Sequence, residues 1–256
     1  MHSAETSFLV DLEGTEVVTE AQPDFGLQPK TWVITEKLGE VSLFMSETDI
    51  NEGFAPGFAA GKFLCHLKDD STSEQGFMRI YCQIPIPGTE WKTPTARATQ
   101  AAPSIELDEL LAFKSFMKNS CTAVPRLLGY QEGRQADDGK VPGGFITTIV
   151  WEKVPGVPLS QIPFWNLDVN QRDSIRQEFQ RAYEQIAQCG YEPWPPTFSK
   201  LIYDESTGKI HISGFGLAVP AGNIQWKKSA FVMYGLAKVK QPPRTDWYDH
   251  EEEWEY

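Results

Sequence analysis

A mixed α+β fold is predicted for this chain of 256 residues by three observations. Short alternating or β-branched runs, bounded by Gly, Pro and polar clusters, recur between Trp32 and Glu152 and again near Leu201. Two segments, one around Leu110 and one around Phe179, carry apolar residues at helical spacing. A hydrophobic content of 41% with eight Trp supplies enough apolar surface for a sizeable core rather than a disordered chain.

The elements follow in order. Trp32-Val-Ile-Thr-Glu and Val41-Ser-Leu-Phe-Met read as two short strands. Gly53, Gly57 and Gly61 punctuate the next segment; their spacing matches neither G-x-G-x-x-G nor a Walker loop, so a simple loop with turns is expected. Phe63-Leu-Cys-His-Leu and Phe77 to Ile84 read as two strands joined by the polar loop Lys68 to Gly76, and Pro85 and Pro87 end the second. After a Pro- and Thr-rich connector, Ser104 is an N-cap candidate, with Glu106 and Asp108 in the first turn of a helix of about 14 residues. Pro125 to Tyr130 enters a strand. Phe145-Ile-Thr-Thr-Ile-Val-Trp-Glu is an almost continuous apolar and β-branched run, the pattern of a buried strand. Asn170 is the expected cap of a second helix ending near Gly190, with Ile175, Phe179, Ala182, Tyr183, Ile186 and Ala187 in one apolar stripe. A hairpin turning at Ser206-Thr-Gly follows, then a last helix over Ser229 to Lys238.

Composition narrows the function. The net charge of −12 disfavours nucleic acid and anionic membrane as partners, since both call for basic surface. Cys65, Cys82, Cys121 and Cys189 form no C-x-x-C pair and the four His are scattered, so no metal site is expected and the cysteines read as reduced thiols. The N-terminus lacks a basic region followed by an apolar run, and no stretch of about 18 apolar residues occurs. A soluble, cytoplasmic protein is the expectation. The segment from Asp246 to Tyr256 carries six acidic groups in eleven residues, a block expected to stay solvated.

Chemistry enters with Lys200 to Ala218, a hairpin running into Gly214-Phe-Gly-Leu-Ala. A strand bearing Arg79 is followed by a helix bearing Glu106 and Glu109. A buried strand then runs into Glu152-Lys-Val-Pro-Gly, before a helix, the hairpin and Gly-Phe-Gly. This order resembles the protein-kinase-like superfamily. The hinge style Glu152-Lys-Val-Pro-Gly-Val-Pro-Leu resembles its aminoglycoside and choline phosphotransferase branch. Val141-Pro-Gly-Gly-Phe-Ile, Ile149-Val-Trp-Glu-Lys-Val-Pro-Gly and Arg172-Asp-Ser-Ile-Arg are similar to a group of short fungal kinase-like proteins of unknown function. The resemblance covers about residues 77 to 235.

The resemblance implies a two-lobed kinase-like fold with a truncated C-terminal lobe. Residues 1–62 would be an extension with the first strands, 63–151 the N-lobe sheet and helix, 152–240 a reduced C-lobe and 241–256 the acidic tail. It places Arg79 where a kinase carries its phosphate-binding Lys, and Glu106 or Glu109 where the paired helix Glu would stand. On residue type alone, Arg79 reads equally as a strand Arg on a solvated face. Glu152 and Lys153 would form the hinge that holds adenine through backbone groups, so ATP stays open as a ligand. At the catalytic loop the motif fails. The base position falls on Pro195 and the His position on Pro193. The two metal positions fall on Lys200 and Gly214, and none of the four can act as base or metal ligand. A shift of register offers only Glu192 as a base. The 40 residues after Gly216 are too few for the helices of a full C-lobe.

The implied function is a non-catalytic kinase-like protein, a pseudokinase, serving as a binding or regulatory module for a protein partner. Trp247, Trp254 and Tyr256 are candidate anchors on that partner. The alternative is an atypical small-molecule phosphotransferase with non-standard catalytic groups.

Overall fold

The structure, a computed structural model, describes residues 7–68, 75–222, 225–240 and 245–256. The N-terminal leader reading over Met1 to Thr6 lies outside these residues, as do 69–74 of the expected hairpin loop, 223–224 and 241–244. The chain divides into two units, Met1–Glu106 with Leu127–Lys153 and Leu107–Arg126 with Val154–Tyr256.

The first unit is built on a six-stranded antiparallel sheet in the order β1-β2-β3-β4-β6-β5. Its strands are β1 (Glu16–Thr19), β2 (Lys30–Leu43), β3 (Phe58–Leu67), β4 (Gln75–Gln83), β5 (Leu127–Arg134) and β6 (Phe145–Glu152). Two short helices, α1 (Glu47–Asn51) and α2 (Pro94–Ala98), lie in its connections. Alternate residues of the strands point to one face, where Trp32, Ile34, Phe63, Met78, Ile80 and Val150 form a buried core with Phe8 and Leu9. Each large apolar side chain buried there contributes about 1.5–3 kcal/mol.

The sheet curls until its two edges meet. A Cβ on Gly129 of β5 would lie 2.5 Å from Thr19 Oγ1 of β1. The Phe25 and Tyr130 rings stack edge-to-face at 6.4 Å, and Gln131 Nε2 donates to Glu20 Oε1 at 3.4 Å. Thr19 Oγ1 in turn accepts from the Trp32 indole N–H at 3.2 Å inside the core. These are side-chain contacts: among the described residues β1 and β5 share no ladder and remain the two edges of the sheet.

Two expectations change here. The two short strands expected between Trp32 and Met45 are one long strand, β2, with register irregularities at Ile34/Glu36 and Lys37/Gly39. The polar stretch between them does not end the strand, because a bulge absorbs the break in alternation. The glycine segment is an irregular loop from Gly53 to Gly57, as expected, preceded by α1 with its Ser46/Asp49 capping box, but from Phe58 on it is strand, so that Gly61 lies within β3.

The Pro- and Thr-rich connector is held by buried amides. Gln83, 1% exposed, donates to Gln100 O at 2.7 Å and accepts from Ala102 N at 3.0 Å. Gln135 Nε2 donates to Gln83 O at 2.8 Å, while Gln135 Oε1 accepts from Val141 N at 3.0 Å. Arg97 donates to the carbonyls of Lys140, Glu90, Lys92 and Gly139. The Val141-Pro-Gly-Gly-Phe signature is therefore one wall of a hydrogen-bonded knot, in which the buried backbone groups find side-chain partners.

The second unit holds α3 (Asp108–Lys118), α4 (Val169–Gln188) and α5 (Ser229–Met233). Its strands are β7 (Val157–Pro158), β8 (Tyr191–Pro193), β9 (Leu201–Asp204), β10 (Lys209–Ile212), β11 (Ala218–Pro220), β12 (Lys238–Val239) and β13 (Trp254–Glu255). They form a three-stranded sheet β10-β9-β7 and two pairs, β11-β8 and β12-β13. On α4, Ile175, Phe179, Ala182, Tyr183 and Ile186 are buried as the stripe predicts. Phe179 packs on Trp226, Phe231 and Tyr234.

Helix boundaries move from their expected places. Asp168, not Asn170, caps α4, in a capping box with Gln171. Ser104 caps nothing: α3 starts at Asp108 behind Leu107, which forms no side-chain cap bond and is 7% exposed. Burial of that leucine, not a polar cap, marks the start. The last helix is five residues long, because Gly235 turns the chain at φ +78°.

The acidic segment is folded against its unit. Trp254, expected as a docking anchor, is 8% exposed and donates its indole N–H to Trp247 O at 3.0 Å. β13 pairs with β12, and the Tyr256 ring lies 5.3 Å from the Arg176 guanidinium. Aromatic burial offsets the tendency of the charges to stay solvated. Among the described residues no helix is long and apolar enough to cross a membrane.

Two outcomes test this fold. Gly129→Ala should destabilise the protein by about 1–3 kcal/mol through overpacking against Thr19, read as a lowered urea midpoint at unchanged slope. Glu40 anchors the N-terminal segment: its carboxylate accepts from Phe8 N at 2.7 Å and Leu9 N at 3.1 Å, and pairs with Lys37 at 2.6 Å. Burial raises its pKa, but the bonds from Lys37, Phe8 N–H, Ser7 and Leu9 N–H outweigh burial, and the carboxyl rests below its ordinary value. A depressed carboxyl stabilises the fold above its unfolded-state pKa and loses that effect as pH falls through the folded one. Glu40→Gln should therefore lower the unfolding midpoint at pH 7, with the gap from wild type closing in acid. A gap independent of pH would show that Glu40 acts by shape alone.

Candidate functional site

The β9–β10 hairpin sets the geometry of the Gly-Phe-Gly segment. Its turn is fixed by Asp204, whose carboxylate accepts from Ser206 N at 3.0 Å, Ser206 Oγ at 2.7 Å and Thr207 Oγ1 at 2.6 Å. The Thr207 and Ser206 hydroxyls hold this carboxyl below its ordinary range. Leu201 pairs with Ile212 at the other end of the ladder. Lys200, one residue before, therefore faces Ser213, whose N–H and Oγ donate to Lys200 O at 2.8 and 3.1 Å.

Gly214 follows with φ +80° and ψ 40°, a left-handed conformation. A Cβ at this position would lie 2.9 Å from Lys200 Cγ, 3.0 Å from Cε and 3.1 Å from Cδ. The aliphatic stem of Lys200 thus occupies the space that a metal-binding carboxylate at 214 would need. An L-residue there is strained by the backbone as well. The two positions the resemblance assigns to metal ligands are brought together, and what they bring is a cation lying over a glycine. Phe215, 1% exposed, inserts between Phe113 at 6.1 Å and Phe116 at 4.7 Å, both on α3.

Glu192, the candidate base, sits in the middle of β8 opposite Val219. Its carboxylate accepts the Tyr183 hydroxyl hydrogen bond at 2.9 Å. Burial and this carboxylate together push the Tyr183 phenol above its ordinary value. Pro193 pairs with Ala218 on the neighbouring strand.

In the first unit, Arg79 stands on β4 with Lys62 of β3 as its cross-strand partner. The Arg79 guanidinium is 5.5 Å from the Trp151 ring centroid. Lys62 Nζ is 4.2 Å from that of Phe77 and 6.0 Å from that of Trp151. Two cations and two aromatic rings so share one face of β3, β4 and β6. Cation–π contacts of this kind contribute about 0.5–1 kcal/mol each at exposed sites and more when desolvated. Sequence reading singled out Arg79 but missed Lys62, Phe77 and Trp151. Their signal was the cross-strand register, invisible until the strands are paired.

Four further candidates lie on the connector, on α3 and at the end of β6. Glu106 is exposed at the end of the connector. Glu109, 2% exposed, lies in the first turn of α3, where a carboxylate favours the helix dipole. Glu152 ends β6 opposite Gly76, and the neighbouring Lys153 donates to Gln75 Oε1 at 2.7 Å. His250, Glu252 and Glu253, in the acidic segment, bring potential ligand atoms within 4.8 Å of one another.

No family model matches the chain, and no curated protein matches it. Among solved structures, the PK-1 kinase of Cydia pomonella granulovirus matches 75% of this chain and 53% of its own, at 13% identity and a TM-score of 0.43. The chain thus spans about half the length of that kinase.

The Lys200–Gly214 contact predicts a coupling. Gly214→Ala should cost about 1–3 kcal/mol, from the positive φ and the clash with the lysine stem. Lys200→Ala should cost little alone and recover part of that loss when combined, so the double variant is more stable than the sum of the singles predicts. Denaturant titration of all four proteins reads this directly; strict additivity would mean that the stem does not constrain the glycine.

Proposed function

We propose that this protein is a kinase-like module that binds without catalysing phosphoryl transfer. The observation that carries the reading is the Lys200 stem packed over Gly214. A divalent ion is the main stabiliser of charge in phosphoryl transfer, and the place of its carboxylate ligand is filled by a cationic side chain. The sequence resemblance and the order of β4, α3, β6, α4, the β9–β10 hairpin and Gly214-Phe-Gly support the kinase-like part of the reading. The engagement of Glu192 with Tyr183 counts against the alternative, an atypical phosphotransferase, for which Glu192 would be the base.

The ligand this reading favours is a nucleotide such as ATP, held without metal. Lys62 and Arg79 supply positive charge beside the Phe77 and Trp151 rings, a combination suited to an anion carried on a planar base. Its output would be a conformational or protein-binding signal.

Calorimetry of the full chain with ATP tests the proposal. Binding should be the same in magnesium and in EDTA, and Arg79→Ala should weaken it about tenfold, the loss of one charge-assisted contact. Binding that requires magnesium, or transfer of labelled phosphate that Glu192→Gln abolishes, would overturn the non-catalytic reading in favour of the phosphotransferase.

A further inference from the structure

Two of the four cysteines meet. Cys121 follows α3 and Cys189 closes α4, far apart in sequence, and both belong to the second unit. Ser115 Oγ donates to Cys189 O at 2.6 Å, and Thr122 Oγ1 donates to Gln185 Oε1 at 3.2 Å. These bonds clamp the end of α3 and the residues after it against the last turn of α4. Between them the Cys121 and Cys189 thiols lie close enough for each to perturb the other. Cys189 is buried, whereas Cys121 is partly exposed. Cys65 and Cys82 are different: β3–β4 pairing sets Cys65 opposite Gly76 and Cys82 opposite Ala59, so the two stand ~20 Å apart along the ladder.

We propose that Cys121 and Cys189 form a thiol oxidation site that closes to a disulfide and locks α3 to the end of α4. The oxidant is a peroxide. The Cys121 thiolate, the accessible one, attacks the O–O bond and becomes a sulfenic acid as water leaves. The Cys189 thiolate then displaces the sulfenic oxygen, forming the S–S bond and a second water. Two thiols and one hydrogen peroxide give one disulfide and two waters. Burial raises both thiols above their ordinary pKa, so the thiolate fraction is small at neutral pH. The site answers sustained oxidant rather than a brief pulse. Its target in the fold is α3, whose Phe113 and Phe116 hold Phe215 beside the Lys200–Gly214 contact. Oxidation therefore fixes the helix that supports the Gly-Phe-Gly turn.

The test is oxidation of the purified full chain with hydrogen peroxide, followed by denaturation, alkylation of remaining thiols and peptide mass spectrometry. Wild type should lose two of its four thiols and yield one cross-linked peptide joining Cys121 to Cys189. Its melting temperature should rise by about 5–10 °C, reversed by dithiothreitol, as expected for closing a loop of about 70 residues. Cys121→Ser and, if it folds, Cys189→Ser should show neither the link nor the rise, while Cys65→Ser should retain both. Four intact thiols after prolonged treatment, a link through Cys65 or Cys82, or over-oxidation of Cys121 without a link would each overturn the proposal.

Discussion

Closure of the six-stranded sheet is the constraint on which the first unit depends. Thr19 and Gly129 bring β1 against β5, and Thr19 also takes the Trp32 indole hydrogen bond. One small hydroxyl residue, completely buried, thus joins the two edges of the sheet to its largest core side chain. Among the described residues β1 and β5 share no ladder, so it is side-chain contacts that hold the two edges together. Because the apolar residues fill the interior, the opposite face of β3, β4 and β6 is left to present Lys62, Phe77, Arg79 and Trp151. The same alternation that builds the core assembles this cationic and aromatic cluster, in which Trp151 is itself buried.

The second unit is organised by the aromatic cluster around Phe179 and by the hold of α3 on Phe215. In the Gly-Phe-Gly segment the phenylalanine keeps a structural role, buried between Phe113 and Phe116, while the residue before it has no side chain to offer. The hairpin that delivers them is stabilised locally by Asp204 and its three hydrogen bonds.

Much of the fold was legible because periodicity reports burial directly. The continuous run from Phe145 to Glu152 marked an interior strand, and the stripe on α4 marked its core face, since both patterns follow from which side chains meet water. Helix starts were read poorly: Ser104 and Asn170 have the chemistry of caps, but packing of Leu107 and the Asp168 capping box set the real boundaries. The long β2 strand was missed because its bulges interrupt alternation. At the candidate site, that Gly214 offers no side chain was legible from the sequence alone. That Lys200 fills the space over Gly214 was not, because a hairpin register is needed to set the two side by side. Lys62 and Trp151 were hidden for the same reason.

Pro193, Lys200 and Gly214 suit the fold as a set. Proline lacks a donor N–H and suits a strand with few ladder bonds, as at Pro193 in the two-stranded β8–β11 pair. Glycine accepts the left-handed backbone at 214, and the lysine stem then covers the surface that a carboxylate would have taken. Each residue is compatible with the fold by itself, and Lys200 and Gly214 also constrain one another. An aspartate introduced at 214 would meet both an unfavourable φ and the lysine stem, and any divalent ion it attracted would face the charge of Lys200 at short range, where Coulomb repulsion is strong. Placing a carboxylate at 214 therefore needs residues 200 and 214 to change together. A site that is packed this way has become part of the scaffold.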